Sequence, residues 1–185
     1  GSLAEGFPVP RGTSLHSLMG KGDQTACEYR TSHDVQLWPI QLTHAEYVSR
    51  EVAEFSLPPG LDSVRAGLRF SFETTAGLDF SEVAIDQLPI FLPGSSDRAQ
   101  RLYEQVFANT VSVMVRPGSE GSSARADASM PDWHKVLPAE SIERVGFADS
   151  EAMFPFGPRS FQGYRLLHEY FSFQQRFMFF RLTGL

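Results

Sequence analysis

The residues with chemical potential are few and scattered. Five histidines stand singly at 16, 33, 44, 134 and 168, and none forms an HExxH pair for a metal. His44-Ala45-Glu46 matches the HxE half of a zinc-deaminase signature, but a chain whose only cysteine is Cys27 has no PCxxC partner for it. Cys27 lies in an expected strand without a flanking cation to lower its thiol pKa, so it reads as a structural thiol rather than a nucleophile. Gly118-Ser119-Glu120-Gly121 has the wrong spacing for a nucleophile elbow, and neither a phosphate-binding glycine loop nor GxGxxG follows any strand pattern. Carboxylate pairs such as Glu73/Asp79 and Asp149/Glu151 have the residue types for glycoside chemistry, yet helix capping or a solvated face explains each of them. The expectation is a protein that is not an enzyme and that uses no metal or cofactor.

Composition narrows the partners. With 16 Lys+Arg against 22 Asp+Glu over 185 residues, the net charge of −6 opposes binding to nucleic acid or to an anionic membrane surface. No run approaches the roughly 20 apolar residues of a membrane span. The single cysteine excludes an internal disulfide and suits a reducing, cytoplasmic setting. Gly1-Ser2 reads as a cloning scar ahead of one β-rich unit over 3–185, and the absence of an initiator Met suggests an excised fragment.

The elements that must position any site follow from periodicity. Segments 12–18 and 24–31 flank a Gly-rich turn and predict a hairpin. Residues 33–48 alternate as a strand whose phase slips at Trp38-Pro39, as at a bulge or an edge. Val64, Ala66, Leu68, Phe70 and Phe72 alternate strictly and predict a half-buried antiparallel strand; 81–92 is more continuously apolar and should lie more centrally. A helix is expected from Ser95 or Ser96 to about 109, with Ala99, Leu102, Val106 and Phe107 as its apolar stripe. A strand at 111–115 follows it, compatible with a βαβ unit or with a helix beside an antiparallel sheet. Residues 118–132 read as a surface loop, 133–147 as two short strands around Pro138, and 149–154 as one helical turn capped by Asp149 or Ser150. A second helix over 160–172, capped by Ser160, and a buried strand over 177–185 complete the chain. The expected fold is α+β and β-dominated: an antiparallel sandwich or partly open barrel with helices packed on it.

Aromatic content is the unusual feature. Of 16 Phe, nine fall within 147–185, joined there by Tyr164 and Tyr170. One short helix and one strand cannot bury them all on single faces, because neighbours such as Tyr170 and Phe171 point about 100° apart. Some rings should occupy a second surface, and aromatics beside arginine are the usual composition of interface anchors. The candidate partner-interface residues are Arg159, Phe161, Tyr164, Arg165, Tyr170 and Phe171. Their alternative role is to pack the helix onto its own sheet. A rival reading is a carbohydrate-binding β-sandwich using Trp38 or Trp133 as a stacking platform. A hydrolase is a second rival, and it would require a cleft with at least two convergent titratable groups.

The stretch from Arg159 to Leu185, RSFQGYRLLHEYFSFQQRFMFFRLTGL, closely resembles the type VI secretion baseplate family TssF, also called VasA or ImpG. Pro10-Arg11-Gly12-Thr13 resembles the family's Pro-x-Gly-Thr approach to its first strand, an element shared with contractile-tail phage baseplates. Tyr29-Arg30-Thr31 followed by Leu37-Trp38-Pro39 is similar to another of its segments, and the strand at 64–74 and Leu102-Tyr103 fall in the same order. The resemblance implies the middle portion of a longer, non-enzymatic, cytoplasmic subunit of a baseplate wedge docked at the inner-membrane complex. It further implies assembly with TssG, TssK and a second TssF copy, around a spike hub and beneath the sheath.

Overall fold

The computed structural model describes residues 3–20, 22, 24–49, 57–94, 96–117, 135–155, 157, 159 and 161–185. The expected loop at 118–132, the caps Ser95 and Ser160, and Trp133 and His134 lie outside the described residues.

Eleven short strands and two α-helices make an α+β fold in which every strand pairing is antiparallel among the described residues. The strands form small separate sheets rather than a closed barrel. β1 (Phe7–Val9) pairs with β4 (Val35–Leu37), and the expected hairpin is β2 (Ser14–His16) on β3 (Glu28–Arg30). The slip at Trp38-Pro39 is a change of partner: the chain leaves β4 there and begins β5 (Ile40–Val48), which pairs with β6 (Gly67–Thr74). Proline has no N–H for a ladder, so a ribbon can end at that point without losing a hydrogen bond. The bulge falls later, between Leu42 and His44, where the Thr43 hydroxyl donates to the Ser71 carbonyl at 3.1 Å.

The one three-stranded sheet runs β10 (Ile142–Arg144), β11 (Phe179–Thr183), β7 (Gln87–Phe91). The closing strand β11, expected to be buried, is the central one, and its Phe180 lies in the core. β7 is not central but an edge, and Pro89 at its midpoint, opposite Arg181, is the reason: a residue without an N–H suits a strand with one open side. β8 (Ser112–Val115) pairs with β9 (Lys135–Pro138), not with β7, so the strand–helix–strand stretch is no βαβ unit.

Helix α1 (Ser96–Asn109) presents Ala99 and Val106 to the interior, with Leu102 and Phe107 partly buried beside them, as its periodicity predicts. Its last turn is held by the Thr110 hydroxyl, which donates to the Val106 carbonyl at 2.6 Å. Leu92, Val106 and Phe180 form the centre of the core, wrapped by Leu68 and Phe70 of β6 and by Ile90, Leu102, Phe107, Ile142 and Leu182. At the other end of the chain, Gly6 adopts φ +72°, and a Cβ there would come within 2.9 Å of the Trp38 ring and 2.6 Å of the Gln36 amide. Only glycine permits that backbone and that contact together.

Candidate interaction site around helix α2

Helix α2 (Arg165–Ser172) begins five residues later than its sequence pattern suggests, with Tyr164 preceding its first turn. A single turn of 3₁₀ helix (Asp149–Glu151), entered from Ala148 rather than capped by Asp149 or Ser150, lies before it, and a longer one (Gln174–Met178) leads from it into β11.

The charged side of α2 faces inward. Glu169 is completely buried, and Arg165 and Arg176 are 6% and 5% exposed. Glu169 Oε1 accepts the Met153 backbone N–H at 2.8 Å. Its Oε2 lies 3.3 Å from Arg165 Nη1 and 3.6 Å from Arg176 Nε. Arg165 donates further to the carbonyls of Gly146 (3.4 Å) and Phe147 (2.6 Å) and lies 3.5 Å from Asp149. One guanidinium therefore ties the start of α2 to the segment following β10, and one carboxylate ties its second turn to the chain before it.

The cluster reaches the N-terminal part of the chain. Arg176 Nη1 lies 3.4 Å from His33 Nδ1. A guanidinium can only donate, so that ring nitrogen is unprotonated in this contact. Burial first, and then the Arg176 charge, hold the His33 imidazole below its usual pKa. A parallel cluster flanks it: Glu151 accepts the backbone N–H of Gly146 at 2.7 Å and an Arg181 guanidinium hydrogen bond at 2.8 Å. Burial pushes the Glu151 carboxyl up, but these donors outweigh it and hold the group below the usual carboxylate range. The Asp149/Glu151 pair thus engages arginines.

With the charges inside, the apolar side of α2 is left outside. At about 100° per residue, Leu166, Leu167, Tyr170 and Phe171 span the arc opposite Arg165 and Glu169. They are 40%, 56%, 39% and 83% exposed. Phe161 (81%) and Tyr164 (68%) extend the surface ahead of the helix, their rings meeting edge-on at 5.7 Å, and Phe173 (50%) extends it behind. Tyr170 and Phe171 likewise pack edge to face at 5.6 Å. Taking 150–250 Å² for each aromatic, these side chains expose about 800 Å², largely apolar. The gross hydrophobic gain from covering that area is up to about 20 kcal/mol at 25 cal/mol per Å², of which association consumes a large part in lost translational and side-chain freedom. Buried ion pairs do not recover such a sum within the monomer, because desolvation offsets most of their attraction.

The structure therefore divides the sequence-derived candidates. Arg159, Phe161, Tyr164, Tyr170 and Phe171 are exposed. Arg165 is not a surface anchor: it is buried against Glu169, a neighbour that holds it through charge and that sequence reading passed over. Part of the signal was present in the spacing, since Arg165 and Glu169 stand four residues apart and so share one side of α2, whereas Arg176 reaches them from the following 3₁₀ turn. Trp38 is half-buried and packed against Gly6, not laid flat toward solvent. Cys27, expected within a strand, is exposed in the residue immediately before β3. Among the described residues no group of three or more His, Cys, Asp and Glu is gathered as for a metal ion, and no helix is long and apolar enough to cross a membrane.

A family profile described as "Type VI secretion system, TssF" matches residues 1–185. The chain belongs to the TssF family. The type VI secretion system component TssF1 of Pseudomonas aeruginosa PAO1 is 40% identical over 186 residues, covering 100% of this chain and 28% of that protein. The chain thus spans less than a third of the length of this curated TssF relative. A chain in the cryo-electron microscopy structure of the type VI secretion TssK-TssF-TssG baseplate subcomplex shares the fold, with a TM-score of 0.70 at 24% identity over 98% of this chain and 30% of that one.

Proposed function

We propose that this TssF chain is a structural part of the type VI secretion baseplate wedge, assembling with TssG and TssK in the cytoplasm and acting by packing rather than by catalysis. The observation that carries the reading is the reversal of α2, whose charges are internal and whose rings and leucines are outside. A solvent-facing surface of that kind and size is half of a standard protein–protein interface, about 800 Å² per partner. Family membership supplies the context, and the similar fold belongs to a chain of a TssK-TssF-TssG baseplate subcomplex.

In this reading Phe161, Tyr164, Tyr170 and Phe171 contact a partner, Arg159 lies at the rim, and Arg165 positions the helix from within. A second TssF copy, the spike hub and the sheath are further wedge and baseplate neighbours, and docking at the inner-membrane complex places the assembly. Co-expression of the full-length protein with TssG and TssK tests the proposal, with complex mass measured by light scattering after size exclusion. A stable complex containing all three is the expected result. A full-length protein that elutes alone beside folded TssG and TssK overturns it.

A further inference from the structure

We infer that the outward face of α2 receives an amphipathic α-helix of a partner protein, one that carries an apolar stripe and a carboxylate at the edge of that stripe. The inference rests on the interaction reading above and names the chemistry of the occupant.

Three features of the face select that occupant. The outward side chains come from helical turns whose own backbone is already hydrogen-bonded, as by His168 N–H to the Tyr164 carbonyl at 2.9 Å and Phe173 N–H to the Glu169 carbonyl at 2.8 Å. Such a face offers no free ladder of N–H and C=O groups to an incoming strand. A segment that lies on it must satisfy its own backbone, and a helix does so. Second, Tyr164, Leu167 and Phe171 are spaced by three and four residues, as are Leu166 and Tyr170 by four. These are the rows whose ridges accept the ridges of another helix. Third, the outward side chains of α2 are uncharged, and an exposed cation stands just before them in the sequence. Arg159, exposed two residues before Phe161, takes part in none of the ion pairs among the described residues. An acidic side chain at the rim of the partner helix complements it, while the centre of that helix must be apolar.

The test uses the full-length protein in cells that also make TssG and TssK. p-Benzoylphenylalanine placed at position 171 preserves an aromatic ring on the exposed face, and the crosslinked peptide is identified by mass spectrometry. The expected peptide is helical in its own protein, with apolar residues at three- and four-residue spacing and an Asp or Glu beside them. Phe171→Glu should weaken the complex about thirtyfold or more, as loss of a central anchor does. Arg159→Glu should weaken it less and be restored by an acid-to-Arg exchange in the crosslinked helix. The side chains of Arg159 and Phe171 are exposed, so an unchanged melting temperature verifies that both variants fold.

Crosslinking to a strand, to an irregular loop, to another part of the same polypeptide or to a second copy of this chain overturns the inference, as does a Phe171→Glu variant that binds at full strength. A wild-type protein that captures neither TssG nor TssK defeats the wedge reading instead. In that case a position-171 crosslink to a helix of another protein, with the charge exchange restoring binding, still sustains the helix inference.

Discussion

Glu169→Gln is the substitution that best separates a buried electrostatic anchor from an ornamental ion pair. The change keeps the shape of the side chain and an oxygen for the Met153 N–H, 2.8 Å away, but removes the charge. Arg165 and Arg176, 3.3 and 3.6 Å from Oε2, then remain in the interior without their shared carboxylate. An ordinary i,i+4 pair on a helix surface contributes only about 0.3–0.5 kcal/mol. Breaking a pair in the interior by removing one partner costs about 3–5 kcal/mol, because the surviving charge is stranded. Glu169 is fully buried, which places it in the second regime. Against a total stability of about 5–15 kcal/mol, that is a large fraction. For a chain of this length it corresponds to a fall in melting temperature of roughly 6–20 °C. The assay is chemical and thermal denaturation of wild type and variant at pH 7.5, with Glu46→Gln as the comparison. Glu46 pairs with Arg69 at 2.9 Å, but both side chains are a quarter to a third exposed, so its loss should cost less than about 1 kcal/mol. If Glu169→Gln costs no more than Glu46→Gln, the charged side of α2 is not what holds the helix, and the account of its orientation fails.

Other outcomes follow from the same structure. Phe180→Ala, at a side chain 2% exposed at the centre of the core, should cost about 3–5 kcal/mol in denaturant unfolding; a loss below 1 kcal/mol would mean that the sheet and α1 do not share this core. Gly6→Ala meets both the left-handed backbone and the Trp38 ring, and should destabilise by about 1–3 kcal/mol with a change in Trp fluorescence. Acidification should weaken the fold in two stages. His33 has a folded pKa below 6.5, so the unfolded chain takes up that proton first, and stability present above pH 6.5 declines as pH falls through the folded value. Glu151, held below 4.5, contributes stability above that pH which is lost on further acidification. His33→Gln should flatten the first stage only, as read from melting temperatures between pH 7.5 and 5; an unaltered slope contradicts the assignment.

Much of the fold was legible because local periodicity and packing agreed. Ala99, Leu102, Val106 and Phe107 mark one side of α1, and the apolar run of 177–185 marked a strand with Phe180 in the core. The surplus of aromatics near the C-terminus was legible as a surface by counting rings against the faces available. Illegible features were those decided between segments distant in the chain. Nothing in residues 33–48 states that β4 and β5 belong to different ribbons, since each finds its partner in a different segment of the chain, β1 before it and β6 after it. The apolar run around Pro89 hid an edge strand, because periodicity reports burial of side chains and not the number of ladder neighbours. In α2, amphipathicity fixes two sides but not which is inner. That choice belongs to the carbonyls of Gly146 and Phe147 and the N–H of Met153, which await the charges of Arg165 and Glu169.

The division into small sheets bears on biogenesis. Among the described strands β11 alone has a ladder partner on both sides, so every other described strand has one side on which no described strand pairs with it. Proline at position 89 and the bulge at Leu42/His44 interrupt two of those sides without closing them. A nascent polypeptide with so many unguarded margins is exposed to adventitious pairing for as long as it waits. The timing of its synthesis relative to that of its neighbours therefore becomes as consequential for yield as its own free energy of folding.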